Sequence, residues 1–310
     1  MDSFLAKDKV VIVMGATGSG KSRLSIDLAL HFNGEIINSD KIQVYKGLDV
    51  LTNKVTPAEM QGVPHHLMSI VEPSEDFTTS DFCVHAKEAI ALITSRGRIP
   101  IIVGGSNSFV EALVDCEEFR ARYECCFLWV YVSASVLHAF VRDRVDQMVE
   151  AGLVEEVRGM FRPDADYSKG IQRAIGAPEM DEYLRYSVTG EIGDEQKKEA
   201  MLHAAIEEIK ENTKKLTFSQ LEKIDRLRRL PGWNVHCIDA TEAFGNRGKP
   251  NFRASWEELV VCNATEIVHK FLLGSGGDDD AVVVVPAVNT VVAHPEIAGA
   301  AVAAAAAASV

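Results

Sequence analysis

The residues best placed to do chemistry stand near the start of the chain. In Gly15-Ala-Thr-Gly-Ser-Gly-Lys-Ser22, two well-separated glycines lead into a lysine and a hydroxyl. Glycine lets backbone N–H groups turn inward onto phosphate oxygens, and a helix starting after the loop adds its dipole. Lys21 supplies a point charge, and the Ser22 hydroxyl can hold a magnesium ion. Such a loop works only between a buried strand and a helix. Val10-Val-Ile-Val-Met14 is a continuous apolar run, the mark of a parallel strand covered on both faces. A helical pattern follows through Leu24, Ile26, Leu28, Ala29 and Phe32. The loop formed by Gly15, Ala16, Thr17, Gly18, Ser19, Gly20, Lys21 and Ser22 is therefore expected to bind a phosphate or diphosphate.

A phosphate loop does not name the reaction. Motor NTPases set a carboxylate at the end of a neighbouring strand, but here the strand Arg98–Val103 runs into Gly104-Gly105-Ser106 with no acid. The nearest acid by strand order is Asp40, at the tip of a second strand in Asn38-Ser39-Asp40. In open α/β sheets the carboxyl ends of the strands face one crevice, so Asp40 should project beside the phosphate loop. A carboxylate there is either a general base or the cap of a turn, and both readings stand. His65 and His66 follow Pro64 in a loop, where substrate contact and capping are equally open. Phe109 and Tyr45 read as pocket wall or core.

Strand and helix alternate through the first half, which predicts an α/β fold: a three-layer sandwich around a mostly parallel sheet of P-loop NTPase type. The expected elements are strands at Val10–Met14, Glu35–Asn38, Arg98–Val103 and Glu124–Val132, with helices at about 80–95 and 107–114. From about Ser135 to Leu230 the pattern is helical, and Trp233–Ile238 returns as a strand. The expected organisation is a P-loop α/β core over 1–139 and a helical lid over about 140–225. Residues 226–273 return to the core, and a low-complexity, disordered tail occupies 274–310.

Composition narrows the partners. The chain of 310 residues carries a formal net charge of -13, which disfavours a broad basic face for long nucleic acid. The cysteines at 83, 116, 125, 126, 237 and 262 form no C-x-x-C, so neither a zinc ribbon nor a disulfide scaffold is expected. Cys125 and Cys126 lie in an apolar run and read as small hydrophobes of a strand. No apolar stretch long enough to span a membrane precedes position 280, and the first ten residues have neither signal-peptide nor transit-peptide character.

Several segments together resemble the isopentenyltransferases, the IPP transferase and tRNA dimethylallyltransferase-like family. They are the phosphate loop itself, Ile37-Asn-Ser-Asp-Lys-Ile-Gln-Val-Tyr45, Gly62-Val-Pro-His-His66, Ile102-Val-Gly-Gly-Ser-Asn-Ser-Phe109, Arg144-Val-Asp146 with Gly152-Leu153, and Ala174-Ile-Gly-Ala-Pro-Glu179. In the family's order they span roughly residues 8–270. The resemblance implies transfer of a dimethylallyl group from its diphosphate to N6 of adenine, with Mg2+. The plant adenylate branch, which makes cytokinins from ATP, ADP or AMP, is the nearest in kind. The segment Ile209–Lys223 resembles it, and the acidic charge and absence of zinc-finger cysteines separate the chain from the tRNA branch.

Carried onto this sequence, the resemblance makes Asp40 the base, Thr17 a hydrogen-bond partner of the leaving group's bridging oxygen, and Lys21 with Arg144 its countercharges. It sets the diphosphate and nucleotide against the phosphate loop, Ser39, Gln43, Gly104, Gly105 and Ser106, with Lys214 and Lys223 on the acceptor's phosphates and Ser22 on the metal. A plastid location is implied, its transit peptide being absent from these residues, with the cytoplasm as the alternative. A tRNA dimethylallyltransferase and a P-loop kinase of small metabolites are the competing functions.

Overall fold

The computed structural model describes residues 7–189 and 194–274. Six strands, β1 (Asp8–Met14), β2 (Gly34–Asn38), β3 (His65–His66), β4 (Ile99–Val103), β5 (Tyr123–Tyr131) and β6 (Val235–Asp239), form one sheet in the order β3-β2-β4-β1-β5-β6. Every pairing is parallel; Ile12, for example, pairs with Ile102 on one side and Phe127 on the other. The expected α/β sandwich is present. Strand ends differ from the sequence reading by a residue or two at β5 and β6. The short β3 is an addition within what reads as loop, because two residues carry no periodicity.

The helices are α1 (Lys21–Phe32), α2 (Pro57–Met60), α3 (Thr79–Ser95), α4 (Asn107–Asp115), α5 (Glu117–Arg122), α6 (Ala134–Glu150), α7 (Leu153–Met160) and α8 (Asp181–Thr189). They continue with α9 (Glu195–Leu227), α10 (Thr241–Gly245), α11 (Phe252–Trp256) and α12 (Cys262–Leu273). α3 starts at a Thr78 cap whose hydroxyl accepts from the Asp81 N–H while the Asp81 carboxylate accepts from the Thr78 N–H, so two end donors are satisfied at once.

The continuous apolar run of β1 is explained by two cores. Val10, Ile12 and Met14 face one, shared with Phe82 and Ile90 of α3, Phe109 of α4 and Ile209 and Ile224 of α9. Val11 and Val13 face the other, shared with Leu24 and Leu28 of α1, Phe244 of α10, Trp256 of α11 and Val268 of α12. Cys125 and Cys126 lie in β5, and burial pushes both thiols up to about 12, which keeps them as neutral small hydrophobes. All six cysteines are free. Among the described residues no helix is long and apolar enough to cross a membrane. The low-complexity tail read beyond Gly274 lies outside the described residues.

α9 matters most for the site. It is one helix of 33 residues. Its far half carries Thr213, Thr217 and Gln220 back, all buried, to the carboxyl edge of the sheet.

Candidate active site

β1 ends at Met14 and the chain turns through Gly15, Gly18 and Gly20, with φ of 156°, 79° and 92°. At Gly20 a Cβ would lie 2.7 Å from the Trp256 ring, so only glycine brings the backbone this close to α11. Gly20 is the N-cap of α1, makes no side-chain cap, and no acid stands in the first turn. The end donors of α1 thus have no side-chain acceptor of their own, the condition for anion binding. Lys21 is buried and its Nζ donates to the Ala16 carbonyl at 2.7 Å. Burial pulls its pKa down to about 8, with Arg144 pushing the same way and Asp40 opposing.

A chain of hydrogen bonds crosses from the phosphate loop to α6 and α9. Arg144 Nη2 donates to Thr17 Oγ1 at 3.0 Å, and the Thr17 N–H donates to Gln220 Oε1 at 2.7 Å. Gln220 Nε2 in turn donates to the Gly105 carbonyl at 3.1 Å, and Asn107 Nδ2 to the Gln220 carbonyl at 3.2 Å. One glutamine of α9 therefore ties the β1 loop to the β4 loop. Burial also lowers Arg144, to about 10, helped by Arg247 and opposed by Asp40. Its Nε is buried without a hydrogen-bond partner among the described residues.

Asp40 lies where the strand order predicts, past β2. Its Oδ1 accepts from the Ile42 N–H at 2.9 Å and from the Gln43 N–H at 3.4 Å. Its Oδ2 is 3.6 Å from the point where a Cβ on Gly105 would sit. The two readings of this acid are thus divided between its oxygens: one caps the turn, the other faces the Gly104-Gly105 backbone. Ser106 Oγ accepts from the Lys41 N–H at 2.9 Å, which fixes the two loops together. Ser19 and Ser39 bury hydroxyls with no partner among the described residues.

Thr17, Lys21, Asp40, Gly105, Ser106, Arg144 and Gln220 line one cavity of about 890 Å³, whereas the expected site residues Gly15, Ala16, Ser19 and Ser39 stand outside its lining. Its lining holds Thr17, Lys21, Ser22 and Arg144 and also Lys41, Gln43, Arg173 and Lys223. Lys41 feels the charges of Lys223 and Arg173, Lys21 feels that of Arg144, and Asp40 acts on Lys21, Lys41 and Arg144 alike. The ammonium of buried Lys41 is 5.4 Å from the centre of the Phe109 ring, and its pKa is drawn down to about 8 by burial first and then by Lys223 and Arg173. Arg173 Nη2 donates to the Tyr45 hydroxyl at 3.0 Å. Gln43 Nε2 donates to the Thr52 carbonyl at 3.0 Å in the same wall.

Lys214 does not belong to this group. It stands outside the cavity lining, its Nζ 3.6 Å from Glu211. His65 lines the cavity with Nδ1 2.8 Å from the Val63 carbonyl, whereas His66 Nε2 sits 2.6 Å from the buried Glu35 carboxylate. Tyr45 and Phe109 are core residues, 0% and 1% exposed. Four cavity residues, Lys41, Arg173, Gln220 and Arg247, were not among the expected ones. Lys41 and Gln220 fall within resembling segments, so position in a motif is the signal they offered. Arg173 directly precedes one such segment, and Arg247 offered none.

Among known proteins, the IPP transferase family model matches residues 43–121 and 116–225. The chain belongs to the IPP transferase family. It is 57% identical over 272 residues to adenylate isopentenyltransferase 5, chloroplastic, of Arabidopsis thaliana, covering 87% of this chain and 82% of that one. It is 51% identical to adenylate isopentenyltransferase 7, mitochondrial, of the same plant, covering 87% and 83%. The adenylate isopentenyltransferase of Humulus lupulus is 41% identical, with 84% and 89% covered. Among solved structures, a tRNA isopentenylpyrophosphate transferase of Bacillus halodurans superposes with a TM-score of 0.67 at 28% identity, covering 86% of this chain and 99% of that one. A eukaryotic dimethylallyltransferase acting on tRNA shares the fold, with a TM-score of 0.71 at 24% identity and coverage of 88% and 82%.

Proposed function

We propose that this IPP transferase moves the dimethylallyl group of dimethylallyl diphosphate to N6 of adenine in ATP or ADP, with AMP a poorer acceptor, as the first step of cytokinin formation. The observation that carries the reading is the shared cavity. A phosphate loop with Arg144 and Thr17 and a second group of three cations, Lys41, Arg173 and Lys223, line it together, and Asp40 is electrostatically close to both groups. The relatives named above, called adenylate isopentenyltransferases, support the same acceptor class, and the net charge of -13 argues against a broad tRNA-binding face.

In this reading the bond from C1 of the dimethylallyl group to the diphosphate oxygen breaks as the bond from N6 to C1 forms. Negative charge builds on the leaving diphosphate, where the loop N–H groups, Lys21 and Arg144 stabilise it. Thr17, oriented by Arg144, hydrogen-bonds the bridging oxygen. The exocyclic amine is a weak nucleophile because its lone pair is delocalised into the ring. Asp40 Oδ2 accepts one N6 proton during attack and leaves the lone pair on nitrogen. Lys41, Arg173 and Lys223 hold the acceptor's phosphates, and the helical part at 140–225 acts as the lid over both substrates.

Among the described residues no group of three or more His, Cys, Asp or Glu could hold a metal ion alone. Mg2+ needs no such group, because it takes one or two protein oxygens beside substrate phosphates and water. Ser22, which lines the cavity at the start of α1, fits that need. When bound, Mg2+ neutralises charge on the leaving diphosphate. Relatives named chloroplastic and mitochondrial support an organellar location, and within that we propose the plastid.

The test is incubation with dimethylallyl diphosphate and, separately, ATP, ADP, AMP and an anticodon stem-loop, with products identified by mass. A mass gain on ATP and ADP is expected. Prenylation of the stem-loop alone would transfer the assignment to the tRNA branch. ADP formation from ATP without the prenyl donor would indicate a kinase.

A further inference from the structure

The phosphate-loop end of the cavity has an outer rim that the reaction above does not use. Arg247 follows α10 and lines the cavity, its guanidinium 3.9 Å from the centre of the Phe140 ring and 5.2 Å from that of Phe244. Phe140 lies directly on the phosphate loop, because a Cβ on Gly18 would be 3.3 Å from its ring. Arg247 and the loop backbone at Gly18 therefore both rest against the Phe140 ring. Arg23 repeats the arrangement beside it, 5.0 Å over the Trp256 ring that touches Gly20, and both guanidinium groups lie near the Phe252 ring.

Among the described residues neither Arg23 nor Arg247 makes an ion pair, although the chain is strongly acidic. Arg247 also makes no side-chain hydrogen bond there, so stacking alone orients it and its N–H groups keep their capacity. The neighbouring guanidinium of Arg144 has a buried Nε with no partner among the described residues. Arg247 disfavours the charged form of Arg144, which Asp40 opposes, and Arg23 does the same to Arg247. Two guanidinium groups facing one loop, each with donors unspent, fit an anion with two phosphates rather than one.

We propose that Arg247 takes the terminal phosphate of the donor and so makes this site selective for a diphosphate over a monophosphate. The proposal rests on the donor site lying at the phosphate loop. Lys21 and the loop N–H groups hold either anion. Arg247, fixed flat on Phe140, reaches only the second phosphate. A stacked arginine costs less to order than a free one, because its plane is already set.

The experiment is calorimetric titration of the whole chain with inorganic pyrophosphate and, separately, with orthophosphate, both with magnesium. Arg247→Met keeps an unbranched stem on Phe140 and removes the charge. It is expected to weaken pyrophosphate about ten- to hundred-fold, the loss of one charge-assisted contact, and to leave orthophosphate unchanged. Arg247→Lys restores charge without the planar fork and is expected to recover part of the loss. The KM for dimethylallyl diphosphate should rise in step, with the acceptor KM unmoved. Unchanged pyrophosphate binding by the methionine variant overturns the proposal, as does an equal loss for both anions. If the unmodified chain binds neither anion, the donor site itself is misplaced, an outcome distinct from a failure of Arg247 alone.

Discussion

Arg144, on α6, donates to the hydroxyl of Thr17 at 3.0 Å and so joins the helical half of the molecule to the phosphate loop. A hydroxyl that accepts from a guanidinium has its own proton turned elsewhere, free to meet an oxygen in the cavity. The same Thr17 is held through its N–H by Gln220. The residue assigned to the leaving group is thus positioned twice, once by charge and once by an amide.

Asp40→Asn tests the base. Asparagine keeps an oxygen for the Ile42 and Gln43 N–H groups, so the turn and melting temperature should survive. Loss of a general base typically lowers kcat by about 10²–10⁴-fold. Donor affinity should hold or tighten, since a negative charge near an anion has gone. Near-normal kcat in a folded variant would leave Asp40 only its capping role.

Gln220→Ala should act on rate and stability together. It strips partners from the Thr17 N–H and the Gly105 carbonyl, at a cost of about 1–3 kcal/mol. With Thr17 less firmly placed, kcat should fall further than donor affinity. The check is kcat, donor Kd and Tm on one preparation; a stability loss with unchanged kcat would reduce Gln220 to a strap.

Donor binding should depend on pH through Lys21. Its free-protein pKa is lowered to about 8, and the cation is the form that binds. A bound diphosphate favours that cation and raises the pKa, so binding above pH 8 must take up a proton. Once the ionisation of pyrophosphate itself is subtracted, the Lys21 contribution to affinity is expected to be constant below about pH 8 and to fall above it. Calorimetry across pH 6.5–9.5 in buffers of different ionisation heat checks both the break and the proton uptake. Lys21→Ala should abolish the break and weaken binding about ten- to hundred-fold.

Acceptor choice separates two lysines. Lys223→Ala is expected to reduce the preference for ATP and ADP over AMP by a few-fold to about tenfold, a partly solvent-screened charge contact. Lys214→Ala should leave it unchanged, since that ammonium stands at Glu211 outside the cavity. The measurement is kcat/KM for the three nucleotides with each variant. Equal effects of the two substitutions would refute the assignment of the acceptor end.

Local pattern alone determined the parallel sheet, the phosphate loop and the place of Asp40. Each of these depends on neighbours in the chain: an apolar run that must be buried on both faces, glycines before a helix start, and an acid at a strand tip. The rest depended on residues brought together from afar. Thr17 and Gln220 are 203 residues apart, and no periodicity announces their bond. Lys214 and Lys223 share a helix and a motif, yet at about 100° per residue their nine-residue spacing turns them to opposite faces. Which face meets the cavity is set by how α9 packs on the core through Ile209 and Ile224. Arg247 is the extreme case: it lies in a loop with no motif, and only the packing of α10 and α6 into the same core lays it on Phe140. Side chains that act through long-range packing are decided by the tertiary structure, because the free energy that places them comes from surfaces they do not carry themselves.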